Sequence, residues 1–246
     1  MGYEAPATYA SLIAPRYGPI ADALLAAAAP KRDDDVLELG AGTGLVTTRV
    51  APRVRSLVAT DRVPGMLALA RDSIRPRPGL TFALVDYAAP LPFLDASFDL
   101  VLSGLTYVQD SRDPVAEIAR VLRPGGRLAL AMWGTGYHEW RLLSDALESI
   151  GGGRFPSPAP GRVVRRLAQA GFDPVDRSDV ELVNEFGSVD EYLAYRRGFG
   201  IPVGWTRRTY ERFLRALARE AAHDAQDGGR FALGWTIVIV TGRRRR

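Results

Sequence analysis

The sequence predicts an α/β fold: a seven-stranded, mostly parallel sheet with helices on both of its faces. Two observations support this prediction. Short apolar runs alternate with amphipathic stretches of helical spacing, an order typical of parallel strands joined by crossover helices. The first of these runs leads directly into a glycine-rich turn and a helix start. We also expect an N-terminal helical cap over residues 1–32 and a helical insertion, residues 188–222, before the last strand.

The spacing of apolar residues and the positions of proline and glycine give the order of the elements. Residues 3–29 are interrupted by prolines, which predicts two short helices, the second beginning near Pro19 and ending before Pro30. The predicted strands are 36–39, 56–60, 80–85, 98–103, 127–132, 179–186 and 232–241. The other predicted helices are 44–51, 64–74, 114–122, 139–150, 162–170, 188–198 and 206–222. No repeat or composition shift marks a second domain, so residues 1–246 are expected to form a single domain.

The glycine-rich turn follows the first strand in the stretch Val36-Leu37-Glu38-Leu39-Gly40-Ala41-Gly42-Thr43-Gly44. Glycine suits a turn that passes close to a ligand and uses positive φ, because a Cβ would obstruct both. The free N–H groups at the following helix start can receive anionic or acceptor groups of that ligand. The dinucleotide fingerprint G-x-G-x-x-G would require a glycine where Leu45 stands, which disfavours a nicotinamide cofactor.

Further landmarks follow this turn in order. They are Asp61, Asp86 ahead of Pro90-Leu91-Pro92-Phe93, the segment Asp95-Ala96-Ser97-Phe98-Asp99-Leu100-Val101, and Leu122-Arg123-Pro124-Gly125-Gly126-Arg127. With the glycine turn, they resemble class I S-adenosylmethionine-dependent methyltransferases, particularly the branch that acts on quinones, natural products and other small molecules. The resemblance implies a Rossmann-like fold, a cofactor-binding core in residues 33–135 and a substrate-side half in residues 136–246.

The resemblance also implies roles for individual side chains. Asp61, after the second strand, would accept hydrogen bonds from the ribose diol of S-adenosylmethionine, although an Asp there can also cap a helix. Asp86 would accept from the adenine amino group while the Tyr87 N–H meets a ring nitrogen; a simple turn-forming Asp is the alternative. The glycine turn, with Gly40, Ala41, Gly42 and Gly44, would border the methionine part of the cofactor. Glu38 would order that loop or reach the amino group through water. The remaining implied cofactor-binding residues are Arg62 and Met66 beside the adenine and Ser103 at a strand end.

The sulfonium of this cofactor is a cation, and aromatic faces attract cations by about 0.5–2 kcal/mol. Tyr9, on the N-terminal segment, is therefore a candidate cofactor-binding residue. Tyr17 and Tyr107 are further candidates. Packing against the sheet is the alternative for all three, because tyrosine is amphipathic.

Methyl transfer is an in-line displacement in which orientation supplies most of the acceleration, so we expect no metal. The sequence has no cysteine and no cluster of His and carboxylates at ligand spacing. The resemblance implies a histidine soon after the fourth strand, but Thr106 stands there. His138 follows the fifth strand beside aromatic residues and is the candidate general base, with a structural role as the alternative. His223, at the end of a charged helix, is expected to be solvated.

Composition restricts the partners that we expect. The net charge of +4 invites a nucleic-acid partner, but nearly all the cations are arginines that alternate with acids, and the densest cluster is residues 243–246. We therefore expect no nucleic-acid partner. Because no apolar run reaches bilayer length and residues 1–30 lack a signal-peptide pattern, we expect no membrane association and a cytoplasmic location.

The sequence thus predicts a small-molecule methyltransferase that uses S-adenosylmethionine, yields S-adenosylhomocysteine and acts on an oxygen, nitrogen or carbon nucleophile. The insertion 188–222 is rich in aromatic residues, among them Tyr192, Tyr195 and Phe199 on one helix face, which suits a partly hydrophobic acceptor or packing on the sheet. An enzyme of the same fold that catalyses a cyclisation or other rearrangement is an open alternative. A subunit that only binds is another. Neither the acceptor nor the oligomeric state follows from the sequence.

Overall fold

The computed structural model describes residues 6–106, 114–135, 138–155, 159–202, 204–225 and 230–246. Its strands are β1 (Asp35–Leu39), β2 (Ser56–Asp61), β3 (Leu80–Leu84), β4 (Phe98–Gly104), β5 (Leu122–Trp133), β6 (Phe172–Phe186) and β7 (Phe231–Arg244). They form one seven-stranded sheet in the spatial order β3-β2-β1-β4-β5-β7-β6.

Most strand pairs in this sheet are parallel. β1 pairs in parallel with both β2 and β4, β2 with β3, and β4 with β5, whereas β5 and β7 are antiparallel. The order along the sheet reverses between β1 and β4, and ligands of open α/β sheets bind at the carboxyl ends of the strands at such a point. The mostly parallel, seven-stranded sheet predicted from the sequence is confirmed.

The helices lie between the strands as the spacing of apolar residues predicts. They are α1 (Pro6–Thr8), α2 (Gly18–Ala28), α3 (Leu45–Val50), α4 (Pro64–Ser73), α5 (Val115–Val121), α6 (His138–Ser149), α7 (Pro160–Gln169), α8 (Val189–Arg197) and α9 (Arg207–Asp224). The first of the two helices predicted for residues 3–29 is irregular: the single turn α1 continues into a π-helical turn and then a 3₁₀ turn that ends at Tyr17. Within the described residues, no helix has the length and apolar character that a membrane span requires.

Three strands extend by three or more residues beyond one of their predicted bounds. β6 begins at Phe172 instead of residue 179. The prediction missed its first half because those residues are mostly exposed and polar, and so lack the apolar alternation that marks a half-buried strand. β5 begins at Leu122, which pairs with Phe98, and so includes the Pro124-Gly125-Gly126 turn residues. β7 reaches Arg244, where the arginine-rich sequence gives no strand signal.

The chain forms two compact units. The first unit comprises residues 1–16, 134–158 and 181–236, and the second comprises residues 17–133, 159–180 and 237–246. The second unit therefore includes β1 to β5 with α2 to α5 and α7, and the first unit includes α6, α8 and α9.

The core of the second unit is aliphatic. β1 is buried throughout after its first residue, and Leu37, Val101 and Leu128 on three neighbouring strands are each 1% exposed or less. Strands buried on both faces in this way are typical of the centre of a parallel sheet. The same core includes Phe172 and Val240 from the later part of the chain.

The core of the first unit is aromatic. Phe186, Tyr192, Tyr195, Phe231 and Trp235 are each buried, and their rings contact one another with centroids 5.1–6.5 Å apart. These distances fall in the range of favourable aromatic pairs. The packing alternative considered for the aromatic face of residues 188–198 is therefore realised for Tyr192 and Tyr195.

Arginine also stabilises the first unit. The Arg16 guanidinium lies 4.3 Å from the centre of the Phe186 ring and donates to Asn184 Oδ1 at 2.7 Å. Arg196 Nη1 donates to the carboxylate of Glu139 at 3.1 Å, and Glu139 is fully buried. A buried carboxylate requires such a partner because its desolvation is otherwise costly.

An ion network lies at the amino-terminal ends of β1, β4 and β5. Asp35 accepts from both Arg55 and Arg123, and Arg123 also donates to Asp99 at 2.5 Å. The hydrogen bond from Arg55 is the main reason why the pKa of Asp35 lies well below its ordinary value. This network joins strand ends opposite to those that carry the glycine turn.

Candidate functional site

The glycine turn leaves β1 at the carboxyl end of the sheet and leads into α3. Gly40, Gly42 and Gly44 have φ angles of 75°, 56° and 91°, a region that glycine enters without the steric cost of a Cβ. The turn is held against β2, because the Ala41 N–H donates to the Thr60 carbonyl at 2.8 Å. The local prediction of strand, tight turn and helix is confirmed.

The three glycines have different surroundings. A Cβ on Gly40 would lie 2.1 Å from Thr106 Cγ2, and one on Gly44 would lie 2.5 Å from Ile74 Cδ1. A Cβ on Gly42 would meet no atom within 4 Å. Gly42 is therefore the position of the turn with open space beside it, where a ligand can approach the backbone.

The Asp61 carboxylate lies at the end of β2 beside Gly42. Its Oδ2 accepts from the Gly42 N–H at 2.8 Å, and its Oδ1 accepts from the Val63 N–H at 2.9 Å. The N-cap residue of α4 is Val63, so Asp61 is not the helix cap that was its alternative role. Each carboxylate oxygen has two lone pairs, which leaves capacity for hydroxyl donors from a ligand.

Glu38 lies in β1 behind the glycine turn and is 1% exposed. Thr47 Oγ1, on α3, donates to its carboxylate at 2.6 Å. The pKa of Glu38 is raised to about 7, chiefly by burial and also by the negative charge of Asp61. Glu38 thus joins β1 to α3 across the turn. Its role in ordering the loop or in reaching the cofactor's amino group through water stays a prediction.

The turn after β3 carries Asp86 and Tyr87. Asp86 is exposed, and its Oδ1 accepts from the Ala88 N–H at 3.0 Å, which is the turn-forming bond expected of Asp. The Tyr87 hydroxyl donates to the Thr106 carbonyl oxygen at 2.5 Å. Asp86 therefore forms its turn and keeps an exposed carboxylate.

The other residues assigned to the cofactor within the second unit differ in exposure. Arg62 is exposed, whereas Met66 and Ser103 are each 2% exposed. Met66 lies on the buried face of α4 with Leu67 and Ala70, so packing accounts for its position. The assignment of Arg62, Met66 and Ser103 to the cofactor stays a prediction.

Tyr9 and His138 belong to the first unit. Tyr9 packs edge-to-face on Phe199 with ring centres 6.2 Å apart. His138 Nε2 lies 3.0 Å from Asp224 Oδ2 and 2.8 Å from Arg141 Nη2, and Arg141 also donates to Asp224. His138 is thus part of a charged cluster at the start of α6. The candidate Tyr107 lies outside the described residues.

Two residues of the site were not predicted as such. The sequence singled out Thr106 only as the replacement for a histidine, and it gave no role to Thr47. The partner of Thr106 is distant in sequence, and Thr47 meets Glu38 only across the glycine turn, so no apolar or motif spacing marks either threonine. In the described part of the chain, no group of three or more His, Asp or Glu side chains is placed to hold a metal ion.

One known family and several known proteins are similar to this chain in sequence. The family described as a methyltransferase domain matches residues 37–130. An uncharacterized methyltransferase of Mycobacterium tuberculosis is 39% identical over 232 residues, which cover 92% of this chain and 88% of the relative. A malonyl-[acyl-carrier protein] O-methyltransferase of Geobacter sulfurreducens is 30% identical over 85% of this chain and 83% of the relative. A demethylmenaquinone methyltransferase of Corynebacterium glutamicum is 36% identical over 49% of this chain and 55% of the relative.

Solved structures share the fold at lower identity. An S-adenosylmethionine-dependent methyltransferase from Mesorhizobium loti has a TM-score of 0.54 and 19% identity, covering 93% of this chain and 98% of that one. A [4+2]-cyclase has a TM-score of 0.60 and 20% identity, covering 93% and 81%. At these identities the likeness shows the fold alone.

Proposed function

Because the chain belongs to the class I S-adenosylmethionine-dependent methyltransferase family, we propose that it transfers a methyl group from this cofactor to a small, partly hydrophobic acceptor. The observation that carries the proposal is the pairing of Gly42, which has open space beside it, with the Asp61 carboxylate at 2.8 Å from its N–H. A backbone that a ligand can approach and a carboxylate suited to a diol then stand side by side.

In this proposal the chain's residues bind and orient the cofactor. Asp61 accepts hydrogen bonds from the ribose hydroxyls, and the exposed Asp86 carboxylate accepts from the adenine amino group. The turn at Gly42 borders the amino-acid end. When bound, S-adenosylmethionine would supply an electrophilic methyl group to the electron pair of the acceptor. Holding the reacting atoms in line can contribute about 7–11 kcal/mol to the acceleration.

The acceptor is proposed to be quinone-like or an acyl compound with a nucleophilic oxygen. The named relatives support this class, since one acts on demethylmenaquinone and another on a malonyl group carried by a protein. We further propose that residues 188–222 select the acceptor. Because Tyr192 and Tyr195 are buried in the core of the first unit, the half-exposed Trp205 is a better candidate for contact with it.

A general base is needed only if the acceptor arrives protonated. His138 stays the proposed base, because the neighbouring Asp224 can orient its ring. A His138→Gln variant tests this role. Loss of turnover at unchanged cofactor affinity would support it, and unchanged turnover across pH would contradict it.

Calorimetric titration with S-adenosylhomocysteine tests the cofactor assignment. We expect Asp61→Ala to weaken binding by about 1.5–3 kcal/mol, the range for hydrogen bonds to a charged group. The matched control is Asp72→Ala, which removes an exposed aspartate of α4 and should leave the affinity unchanged. If the wild type and a folded Asp61→Ala variant bound S-adenosylhomocysteine with equal affinity, Asp61 would not belong to the site. Binding of nicotinamide dinucleotides would overturn the cofactor assignment.

A second candidate reaction is a cyclisation or other rearrangement without methyl transfer. This alternative stays open because a [4+2]-cyclase has the same fold. Incubation with methyl-labelled cofactor and candidate acceptors separates the two reactions by mass spectrometry. A labelled product together with S-adenosylhomocysteine supports methyl transfer, whereas an isomerised product without S-adenosylhomocysteine supports rearrangement.

Methyl transfer is expected to persist after treatment with a chelator.

A further inference from the structure

The backbone is strained immediately after β4. Leu105 has a φ angle of 58°, in the left-handed region that branched and bulky side chains rarely adopt. Its N–H donates to the Ala131 carbonyl of β5 at 2.9 Å, which holds it in this conformation. Strain of this kind is of the order of 1–3 kcal/mol and persists only where surrounding contacts enforce it. The strained residue lies between the end of β4 and Thr106.

The Thr106 side chain lies against the glycine turn. Three of its atoms lie within 2.1–2.4 Å of where a Cβ on Gly40 would be. Its Oγ1 is 3.1 Å from the Gly40 carbonyl oxygen and 3.3 Å from that of Gly104, and its single proton can serve one of them at a time. Gly40 is therefore required for two reasons, its φ of 75° and the side chain that covers it.

The Thr106 backbone holds a different segment. Its carbonyl oxygen accepts from the Tyr87 hydroxyl at 2.5 Å, and Tyr87 is the residue after Asp86. Tyr87 is half-buried and Asp86 is fixed in its turn by the Ala88 N–H. A single residue thus contacts the glycine turn through its side chain and the Asp86–Tyr87 turn through its carbonyl.

We propose that Thr106 is a positioning residue that fixes the spacing between the two ends of the cofactor site. The inference rests on the proposed function, in which the glycine turn borders the amino-acid end of the cofactor and the Asp86–Tyr87 turn its adenine end. A ligand that engages both turns binds better when the turns are already at the correct separation, because less ordering is needed on binding. A ligand that engages only the adenine end gains nothing from that spacing.

The two hydrogen bonds can be removed separately without changing side-chain shape. Thr106→Val keeps the branched side chain on Gly40 and removes its hydroxyl, and Tyr87→Phe removes the donor to the Thr106 carbonyl. The affinities for S-adenosylhomocysteine and 5′-methylthioadenosine, which lacks the amino-acid group, are measured by calorimetry. We expect each variant to bind S-adenosylhomocysteine about three- to tenfold more weakly, the effect of one hydrogen bond. The affinity for 5′-methylthioadenosine should be unchanged in Thr106→Val, because the lost hydroxyl lies at the glycine turn and not at the adenine end.

The double variant provides the sharpest readout. If both bonds serve one connection, Thr106→Val combined with Tyr87→Phe should weaken the binding of S-adenosylhomocysteine no more than the single variant with the larger effect does. Thr106→Ser keeps the hydroxyl and should retain most of the wild-type affinity. The matched control is Thr48→Val, because Thr48 also donates to a carbonyl of the turn, Gly44 at 2.8 Å, but has no bond to Tyr87. It should not change the ratio of the two affinities.

Three results would overturn the inference while leaving the cofactor assignment intact. They are unchanged binding of S-adenosylhomocysteine by Thr106→Val, equal weakening of both ligands, and losses that multiply in the double variant. Failure of the wild-type protein to bind S-adenosylhomocysteine would instead overturn the cofactor assignment and the inference together.

Discussion

Replacement of Glu38 by Gln should remove a pH dependence of stability that arises from one buried carboxyl group. Glu38 is 1% exposed and its carboxylate has Thr47 Oγ1 as donor at 2.6 Å. Burial raises its pKa from 4.5 to about 7. Because the pKa is raised in the folded state, the folded protein binds this proton more tightly than the unfolded chain does.

The sign and the size of the effect follow from that shift. The stabilisation from protonated Glu38 is fully present below the unfolded value of 4.5, decreases as the pH rises, and is lost above the folded value of about 7. At 1.36 kcal/mol for each unit, the free energy of unfolding should decrease by roughly 3 kcal/mol across this window. Glu38→Gln keeps an acceptor for Thr47 and has no proton to lose, so this decrease should be absent from the variant.

Urea unfolding followed by circular dichroism, repeated at several pH values, measures the effect. The difference between variant and wild type isolates Glu38 from other titrating groups. We expect similar stability near pH 5 and a more stable variant near pH 8. A difference that stays constant with pH would refute the reasoning.

Two neighbours of Glu38 offer internal controls with opposite signs. The Thr47 hydrogen bond lowers the pKa of Glu38 and the charge of Asp61 raises it. Thr47→Val should therefore move the decrease in stability to higher pH, and Asp61→Asn should move it to lower pH. Movement of both variants in the same direction would show that the causes assigned to this pKa are wrong.

Three further outcomes are expected. The pKa of Asp35 is lowered chiefly by Arg55, so ionised Asp35 stabilises the fold above its unfolded pKa and this contribution is lost as the pH falls through its folded pKa. In urea unfolding, Asp35→Asn should lower the free energy of unfolding by about 1–2 kcal/mol at neutral pH and by nothing in acid. An equal decrease at both pH values would be inconsistent with this. Gly42→Ala and Gly125→Ala both place a Cβ in open space at positive φ, so both should lower the melting temperature by the equivalent of about 1 kcal/mol. Calorimetry should show weaker binding of S-adenosylhomocysteine only for Gly42→Ala. Equal affinities of the two variants would exclude close approach of the ligand to Gly42. Tyr195→Ala should destabilise the protein by about 3–5 kcal/mol in thermal unfolding, because the ring is 2% exposed. A folded Tyr195→Ala variant that lost only acceptor turnover would contradict its packing role.

The sequence was informative where local chemistry decides the structure. The glycine turn, the acidic residues after β2 and β3 and the buried β1 each depend on residues near one another in the chain, so they could be predicted. β6 was predicted too short because its first half is exposed and polar, and a strand of that kind forms through backbone pairing that leaves no apolar pattern.

The contacts that define the site in detail are not local. Thr106 reaches Gly40 and Tyr87, and Glu38 reaches Thr47, only after β1, β4 and α3 have assembled. The aromatic face of α8 illustrates a second limit. Helical spacing showed that Tyr192 and Tyr195 share a face, but the same spacing serves a core and a binding pocket equally well, and only the neighbouring Phe231 and Trp235 show that the face is packed.

The antiparallel pairing of β5 with β7 has a consequence for biosynthesis. Trp133 of β5 pairs with Ile237 of β7, so one edge of β5 lacks its partner until almost all the intervening chain has left the ribosome. An unpaired, apolar strand edge is a template for association with other chains. Nascent protein should therefore be most vulnerable to aggregation during the interval before β7 emerges. Slower translation through that interval, or chaperone depletion, should reduce soluble yield more than it alters the stability of the finished protein.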